Sequence, residues 1–310
     1  MIKVQKLRKV YKVGDEKVVA LNNINLEIED GEFCCITGTS GSGKSTLLNL
    51  LAGLEKPTKG KVAIQGKLVT KMDEKQLAKF RQDTIGFIFQ SYNLMPTMTA
   101  VENVAFPLMF RGVDRKVREK RAKKILTDMG LGDRLNHKPG EMSGGQQQRV
   151  GIARAFVGKP KVIFADEPTG NLDSATTRQV MELLIDISRK SHITFVMVTH
   201  DPNLAAMAPR VVQLIDGQIV SDKKNGVETF VPDSDAPDAE MDVGNEAAAA
   251  ETRAAGTQSA PTIEEKTEDA GTADKADEIV RRVLRSVREA DPEQRTVSSE
   301  GEKIDEKEQN

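Results

Sequence analysis

The run Gly38-Thr39-Ser40-Gly41-Ser42-Gly43-Lys44-Ser45-Thr46 combines three glycines with a terminal Lys-Ser-Thr. It fits G-x-x-x-x-G-K-[ST], a spacing that cradles phosphate: glycine-rich backbone turns several N–H groups toward one anion, and a helix start behind them adds its positive end. In that arrangement Lys44 reaches the outer phosphates and the Ser45 hydroxyl ligates Mg²⁺. Further along, the apolar run Val162-Ile163-Phe164-Ala165 ends in Asp166-Glu167. Beside a phosphate cradle, Asp166 is placed to hold the metal and Glu167 to polarise an attacking water. A third stretch, Met142-Ser143-Gly144-Gly145-Gln146-Gln147-Gln148-Arg149, opens a helix with Ser-Gly-Gly but carries no lysine. Ser143 suits a helix cap. The same stretch is also a second anion-binding helix start. One triphosphate needs one cradle per subunit, so a second is explained most simply by nucleotide held on another copy.

These residues need elements to hold them. Phe33-Cys34-Cys35-Ile36-Thr37 reads as a buried strand before the glycine-rich loop, and Leu47-Leu48-Asn49-Leu50-Leu51-Ala52 as a helix after it. Apolar runs at 85–89, 162–165 and 193–198 predict further buried strands, and a helix is expected over about 174–189. Val18 to Leu21, Ile24 to Ile28 and Gly60 to Ile64 read as strands without βαβ spacing, which suggests a small antiparallel sheet beside the main one. Asp201-Pro202 reads as cap and first residue of a short helix, and Asp216-Gly217 as the turn of a terminal hairpin. Residues 99–130 turn helical, with Pro107 expected to break the pattern and a charged helix over 115–129. Between Gln90 and Lys159 no strand is evident, so residues 91–159 read as a helical subdomain. The fold class is α/β: a P-loop NTPase core with a largely parallel sheet, a small antiparallel β subdomain and a helical subdomain.

Composition divides the chain. Residues 225–310 hold 23 Asp/Glu against 10 Lys/Arg, whereas residues 1–224 hold 24 against 35, so the overall net charge of −2 hides a basic body and an acidic tail. Residues 1–224 are long enough for one core. The tail, rich in Ala, Glu, Asp, Thr and Ser, is expected to be mostly disordered. Its one island is 276–290, where Ile279, Val283 and Val287 share a helical face with Val280 and Leu284 beside them, and Arg281, Arg282, Arg285 and Arg288 cover the rest. That island reads equally as a transient helix or as one that docks on a partner or membrane. No run approaches the ~18 apolar residues of a membrane span, and the N-terminus lacks a signal-peptide pattern. Cys34 and Cys35 are adjacent on a strand, which suits packing rather than a bridge.

The series of motifs resembles the ATP-binding subunit of ABC transporters over about residues 1–224. Ser143-Gly144-Gly145-Gln146-Gln147 matches that family's signature, with Met142 where Leu is usual. The resemblance implies ATP and Mg²⁺ as cofactors. It gives Tyr11 the place of the aromatic residue that stacks on adenine; without it, Tyr11 is an edge-strand tyrosine. Gln90 takes the place of the Q-loop glutamine that senses metal and water, Asp173 follows Leu172 in the D-loop and also suits a cap before Ser174, and His200 takes the place of the switch histidine. Glu167, His200 and Gln90 are thus the expected catalytic set, and Ser45, Gln90 and Asp166 the expected metal set. Ala165-Asp166-Glu167-Pro168-Thr169-Gly170-Asn171-Leu172-Asp173 and the stretch from Ile85 to Pro96 are similar to the lipoprotein-release and macrolide-export group. That group also includes antimicrobial-peptide exporters and a cell-division ATPase.

The resemblance implies a homodimer closed head to tail on two ATP·Mg²⁺, each held by residues 38–46 of one copy and 143–147 of the other. It implies a separate transmembrane permease, a cytoplasmic chain peripheral on the inner face of the membrane, and ATP-driven export or extrusion of peptide, drug or lipoprotein. The alternative is a cell-division ATPase that moves a membrane partner without transporting a substrate. A GTPase would need a guanine-reading Asn-Lys-x-Asp segment, which is absent. A small-molecule kinase would not need the Ser-Gly-Gly-Gln helix. Nucleic acid is not expected as a partner, because the basic residues are dispersed and lack an aromatic stacking series.

Overall fold

The computed structural model describes residues 1–225, the backbone of 227 and 228, and residues 278, 281, 282 and 285. The expected disorder of the tail, and most of its 276–290 island, lie outside the described residues. Within that island Glu278, Arg281, Arg282 and Arg285 are helical and exposed, and Arg282 pairs with Glu278.

Two sheets organise the rest. The larger has seven strands among the described residues: β3 (Phe33–Thr37), β6 (Ile85–Ile88), β7 (Val162–Asp166), β8 (Thr194–Thr199), β9 (Arg210–Ile215), β10 (Gln218–Lys224) and β11 (Val227–Glu228). Its order is β11-β10-β9-β3-β8-β7-β6, parallel from β9 to β6 and antiparallel at β10 and β11. The smaller is antiparallel in the order β2-β1-β4-β5, formed by β1 (Ile2–Val13), β2 (Glu16–Ile28), β4 (Lys59–Ile64) and β5 (Lys67–Leu68).

The apolar runs of the parallel strands are continuous because both faces are covered. Alternation sends Cys34 and Ile36 of β3, Val162 and Phe164 of β7, and Val196 and Val198 of β8 into one core. There they meet β1, β2 and the helix α1 (Lys44–Leu51), which buries Leu47, Leu48, Leu50 and Leu51. Phe33, Cys35, Ile163, Phe195 and Met197 face the second core, formed with α3 (Ala100–Phe110), α4 (Arg115–Asp128), α5 (Gly144–Phe156) and α6 (Ser174–Ser191). Phe33 and Phe195 stack there at 4.7 Å between centroids. Burial holds both thiols well above the ordinary range, Cys35 at about 12, so neither is a ready nucleophile.

Three local expectations change. The two expected strands between residues 18 and 28 are one, β2, whose pairing with β1 shifts register around Asn23, at φ 56°. A helix α2 (Glu74–Thr84) was not anticipated; it carries an Asp73–Gln76 capping box and buries only Leu77, Phe80 and Thr84. Pro107 does not break α3, which runs on to Phe110. An interior proline costs about 3 kcal/mol. Val101, Val104, Ala105 and Leu108 are all buried in the core shared with α4 and α5, and each large one returns roughly 1.5–3 kcal/mol. The stripe outweighs the missing bond.

α3 also anchors the segment after Gln90. Thr99 and Glu102 form its capping box, and buried Asn103 donates to the carbonyls of Met95, Met98 and Thr99 while accepting from Met95 N–H at 2.7 Å. No described helix is long and apolar enough to cross a membrane.

Candidate functional site

Four of the motifs leave the carboxyl end of a parallel strand: the glycine-rich loop after β3, Gln90 after β6, Glu167 after β7 and His200 after β8. Parallel pairing, with Thr37 beside Thr199 and Asp166 beside Val198, brings those ends to one edge of the sheet. That edge is where open α/β sheets receive ligands.

The loop is pinned from outside. Gly217 N–H donates to Ser42 O at 3.1 Å, and Asn22 N–H to Gly217 O at 2.9 Å, so the β9–β10 turn and β2 both hold it. Inside, Lys44 is nearly buried and its Nζ donates to Thr39 O at 2.7 Å, folding the ammonium over the loop. Helix α1 has no side-chain cap and no acidic residue in its first turn. The Ser42 hydroxyl is buried without a hydrogen-bond partner. A buried cation, an uncapped helix start and an unpaired hydroxyl fit an anion such as a nucleotide phosphate.

Beside it, the Ser45 hydroxyl donates to Asp166 Oδ1 at 3.3 Å. Burial pushes the Asp166 carboxyl above the ordinary Asp value; the Ser45 bond opposes this and the charge of Glu167 adds to it. A carboxylate disfavoured by burial, paired with one hydroxyl, fits a divalent cation. Among the described residues no group of three or more His, Cys, Asp and Glu could cage a metal. The donor set therefore suits Mg²⁺, which is usually held by one or two carboxylates together with substrate phosphates.

Glu167 sits at φ 44°, a left-handed conformation costing an ordinary residue roughly 1–3 kcal/mol. Its N–H bonds Val198 O at 3.0 Å and its carbonyl accepts from Gly170 N–H at 3.1 Å. The bend turns its carboxylate toward His200, whose Nδ1 lies 2.7 Å from Oε1. A cavity of about 520 Å³ borders the pair, lined also by Gly170, Leu172, Leu204 and Met207. Gln90 is exposed; its side-chain amide packs against Gly170, and its carbonyl accepts from Asn171 Nδ2 at 3.0 Å. The structure brings Ser45 to Asp166 and Glu167 to His200. Gln90 meets the turn after Glu167.

Ser143 caps α5, its N–H bonding Gln146 Oε1 at 3.0 Å and its hydroxyl accepting from Gln146 N–H at 3.4 Å. Gln147 Nε2 donates to Met142 O at 3.1 Å. Gly144 faces Tyr92 and Leu172, and Gly145 faces Thr176. Among the described residues no hydrogen bond joins residues 143–147 to residues 38–46. Asp173 caps α6 and accepts from Thr176 N–H at 3.0 Å and Oγ1 at 2.7 Å, bonds that hold its carboxyl below the ordinary range. Tyr11 Oη donates to Glu55 at 2.7 Å, while Lys9 Nζ lies 4.9 Å over its ring and 3.1 Å from Glu55. Burial and then Glu55 raise the Tyr11 pKa.

Two neighbours escaped sequence reasoning. Fully buried Gln148 donates Nε2 to Pro168 O, joining α5 to the Asp166-Glu167 turn. Its signal was a polar residue on the helical stripe that continues at Ile152 and Ala155. Glu55 has no such signal.

The family model described as "ABC transporter" matches residues 21–170. An uncharacterized ABC transporter ATP-binding protein of Methanocaldococcus jannaschii is 53% identical over 220 residues, covering 71% of this chain and 98% of that protein. A macrolide export ATP-binding/permease protein, MacB, of Marinobacter nauticus is 47% identical over 222 residues, covering 72% of this chain but only 34% of that longer protein. Among solved structures, an ATP-binding cassette of M. jannaschii, dimeric in a post-hydrolysis state with ADP and Pi bound, matches with a TM-score of 0.68 and 45% identity, over 73% of this chain and 99% of that one.

Proposed function

Because the chain belongs to the ABC transporter family and is an ATP-hydrolysing subunit, we propose that it drives export or extrusion through a separate permease, closing as a homodimer on two composite ATP sites. Likeness to MacB supports export, and the dimeric cassette supports the homodimer. The contacts of residues 143–147, directed at Tyr92, Leu172 and Thr176 rather than at residues 38–46, support their facing nucleotide on another copy. Exposed Met95, Met109 and Phe110, after Gln90 and at the end of α3, suit an apolar permease surface. The chain would then sit on the inner face of the membrane.

In this reading residues 38–46 hold the phosphates, with Lys44 leaving Thr39 O for the β- and γ-oxygens. Tyr11 stacks on adenine beside them. Mg²⁺, held by Ser45 and Asp166 with Gln90 nearby, would neutralise charge on the transferring phosphoryl group. Glu167 accepts the proton of the attacking water. His200 keeps the Glu167 carboxylate aimed and contacts the γ-phosphate, and Asp173 faces the partner copy near its nucleotide. The observation that carries the reading is the 2.7 Å Glu167–His200 contact one residue beyond the Asp166–Ser45 pair.

Glu167→Gln tests it. Loss of a general base costs about 10²–10⁴ in rate, so steady-state hydrolysis should collapse while ATP binding persists and sedimentation shows an ATP-dependent dimer. Near-normal turnover by this variant would remove Glu167 from the central role.

A further inference from the structure

The turn after Gln90 holds two successive ordinary residues in the left-handed region, Tyr92 at φ 58° and Asn93 at φ 46°. Non-glycine residues rarely adopt this, and here Tyr92 N–H bonds Phe89 O at 3.3 Å while one side chain clamps both carbonyls of the turn. Arg154 of α5 donates Nη1 to Asn93 O at 2.6 Å and Nη2 to Tyr92 O at 2.7 Å, with its guanidinium 6.0 Å over the Phe89 ring. Both carbonyls meet one planar fork, a match that lysine cannot copy. The Tyr92 side chain reaches the other way. Its Oη donates to Asn171 O at 3.4 Å, and Asn171 Nδ2 returns to Gln90 O at 3.0 Å, closing a ring between the two segments. Tyr92 Oη also lies 2.9 Å from where a Cβ on Gly144 would stand, so the hydroxyl closes on the first residue of α5.

We propose that Arg154 and Tyr92 are positioning residues that make α5, Gln90 and the segment before Asp173 move as one body. The inference rests on the roles proposed above for Gln90, Asp173 and residues 143–147. Displacement of α5 by nucleotide on the partner copy would carry the Tyr92–Asn93 turn through Arg154. That turn would move Gln90 directly and Asn171 through the Tyr92 hydroxyl. The coupling runs through discrete hydrogen bonds with named partners, and each can be removed alone.

The test uses the full chain with Tyr92→Phe, Arg154→Lys and Gln90→Ala. Tyr92→Phe deletes one hydroxyl, the group that meets both Asn171 O and Gly144, and leaves the aromatic ring. Its kcat should fall about three- to tenfold, the factor one lost hydrogen bond commands. KM for ATP should stay within about twofold, since nothing in the phosphate cradle changes, while the thermal midpoint falls by no more than about 5 °C. Arg154→Lys should show the same split, with a larger fall. Unchanged kcat in both variants, or a KM for ATP that rises severalfold as kcat falls, would overturn the device. If Gln90→Ala turns over like wild type, the role given to Gln90 fails. If Gln90→Ala is impaired and the other two are not, the device alone fails.

Discussion

Gly43 and Gly41 share one loop, yet the structure assigns them different reasons for lacking a side chain. Gly43 lies at φ 99°, and an added Cβ would stand 2.5 Å from Ala20 O and 2.9 Å from Leu21 Cδ2 of β2. Gly41 lies at φ 80° with nothing within 4 Å of that position. Gly41→Ala therefore carries only left-handed strain, roughly 1–2 kcal/mol. Gly43→Ala carries the same strain plus a clash against strand backbone, for which overpacking costs of roughly 1–3 kcal/mol apply, giving roughly 2–5 kcal/mol in total. For a domain of this size each kcal/mol moves the thermal midpoint by about 2–4 °C. The expected drops centre on about 10 °C for Gly43→Ala and about 4 °C for Gly41→Ala. Differential scanning calorimetry with and without ADP and Mg²⁺ reads both, and the ligand-induced rise should shrink in each variant, because both distort N–H groups of the loop proposed to hold the phosphates. If the two variants melt together, the close approach of the loop to β2 is not what holds Gly43.

Asp166 keeps its proton to higher pH folded than unfolded, so its ionised form lowers stability above its folded pKa and that penalty fades as pH falls. A cation at Asp166 offsets the same penalty. The Mg²⁺-dependent part of the ADP-induced thermal shift should thus decline with falling pH, beginning above the ordinary Asp value of 3.8. Asp166→Asn should lose that decline; an identical pH profile in the variant would refute the assignment. Arg210 forks onto Asp222 at 2.8 and 2.6 Å and reaches Glu32 at 3.0 Å and Glu27 O at 2.8 Å, tying β9, β10 and the start of β3. Arg210→Met would leave two nearly buried carboxylates, Lys224 still reaching Glu32. Breaking such a pair should cost about 3–5 kcal/mol, measured by denaturant melts; a loss under about 1 kcal/mol would show that water screens the network.

The parallel strands were legible because both faces are covered, which makes Phe33 to Ile36, Val162 to Ala165 and Phe195 to Val198 continuously apolar. Elements with one solvated face were harder to read. β2 leaves residues 16–19 exposed and bends at Asn23, so its pattern looked like two short strands. Helix α2 buries just three side chains, and its clearest mark was the Asp73–Gln76 box rather than its hydrophobicity. Pro107 misled because a local rule met a tertiary stripe that outweighed it. For the site, residue types and order were readable, whereas contacts between distant segments were not: Gln148 with Pro168, Arg154 with the Tyr92–Asn93 turn, and Tyr11 with Glu55.

The sequence by itself determined the chemistry on offer: a lysine and a hydroxyl in a glycine-rich loop, two acids at a strand end, and a second helix start without a lysine. Those are local properties, carried by residue type and spacing of a few positions. Tertiary structure alone decided which of them meet. Parallel pairing brought four strand ends to one edge, so that Ser45 faces Asp166 and His200 faces Glu167. It also packed Gly144 and Gly145 against Tyr92 and Thr176 instead of against the loop, because α5 is held in the core of α3 and α4. Which groups share a site depends on strand order and on which face each helix buries, and both are set by burial summed over the whole chain.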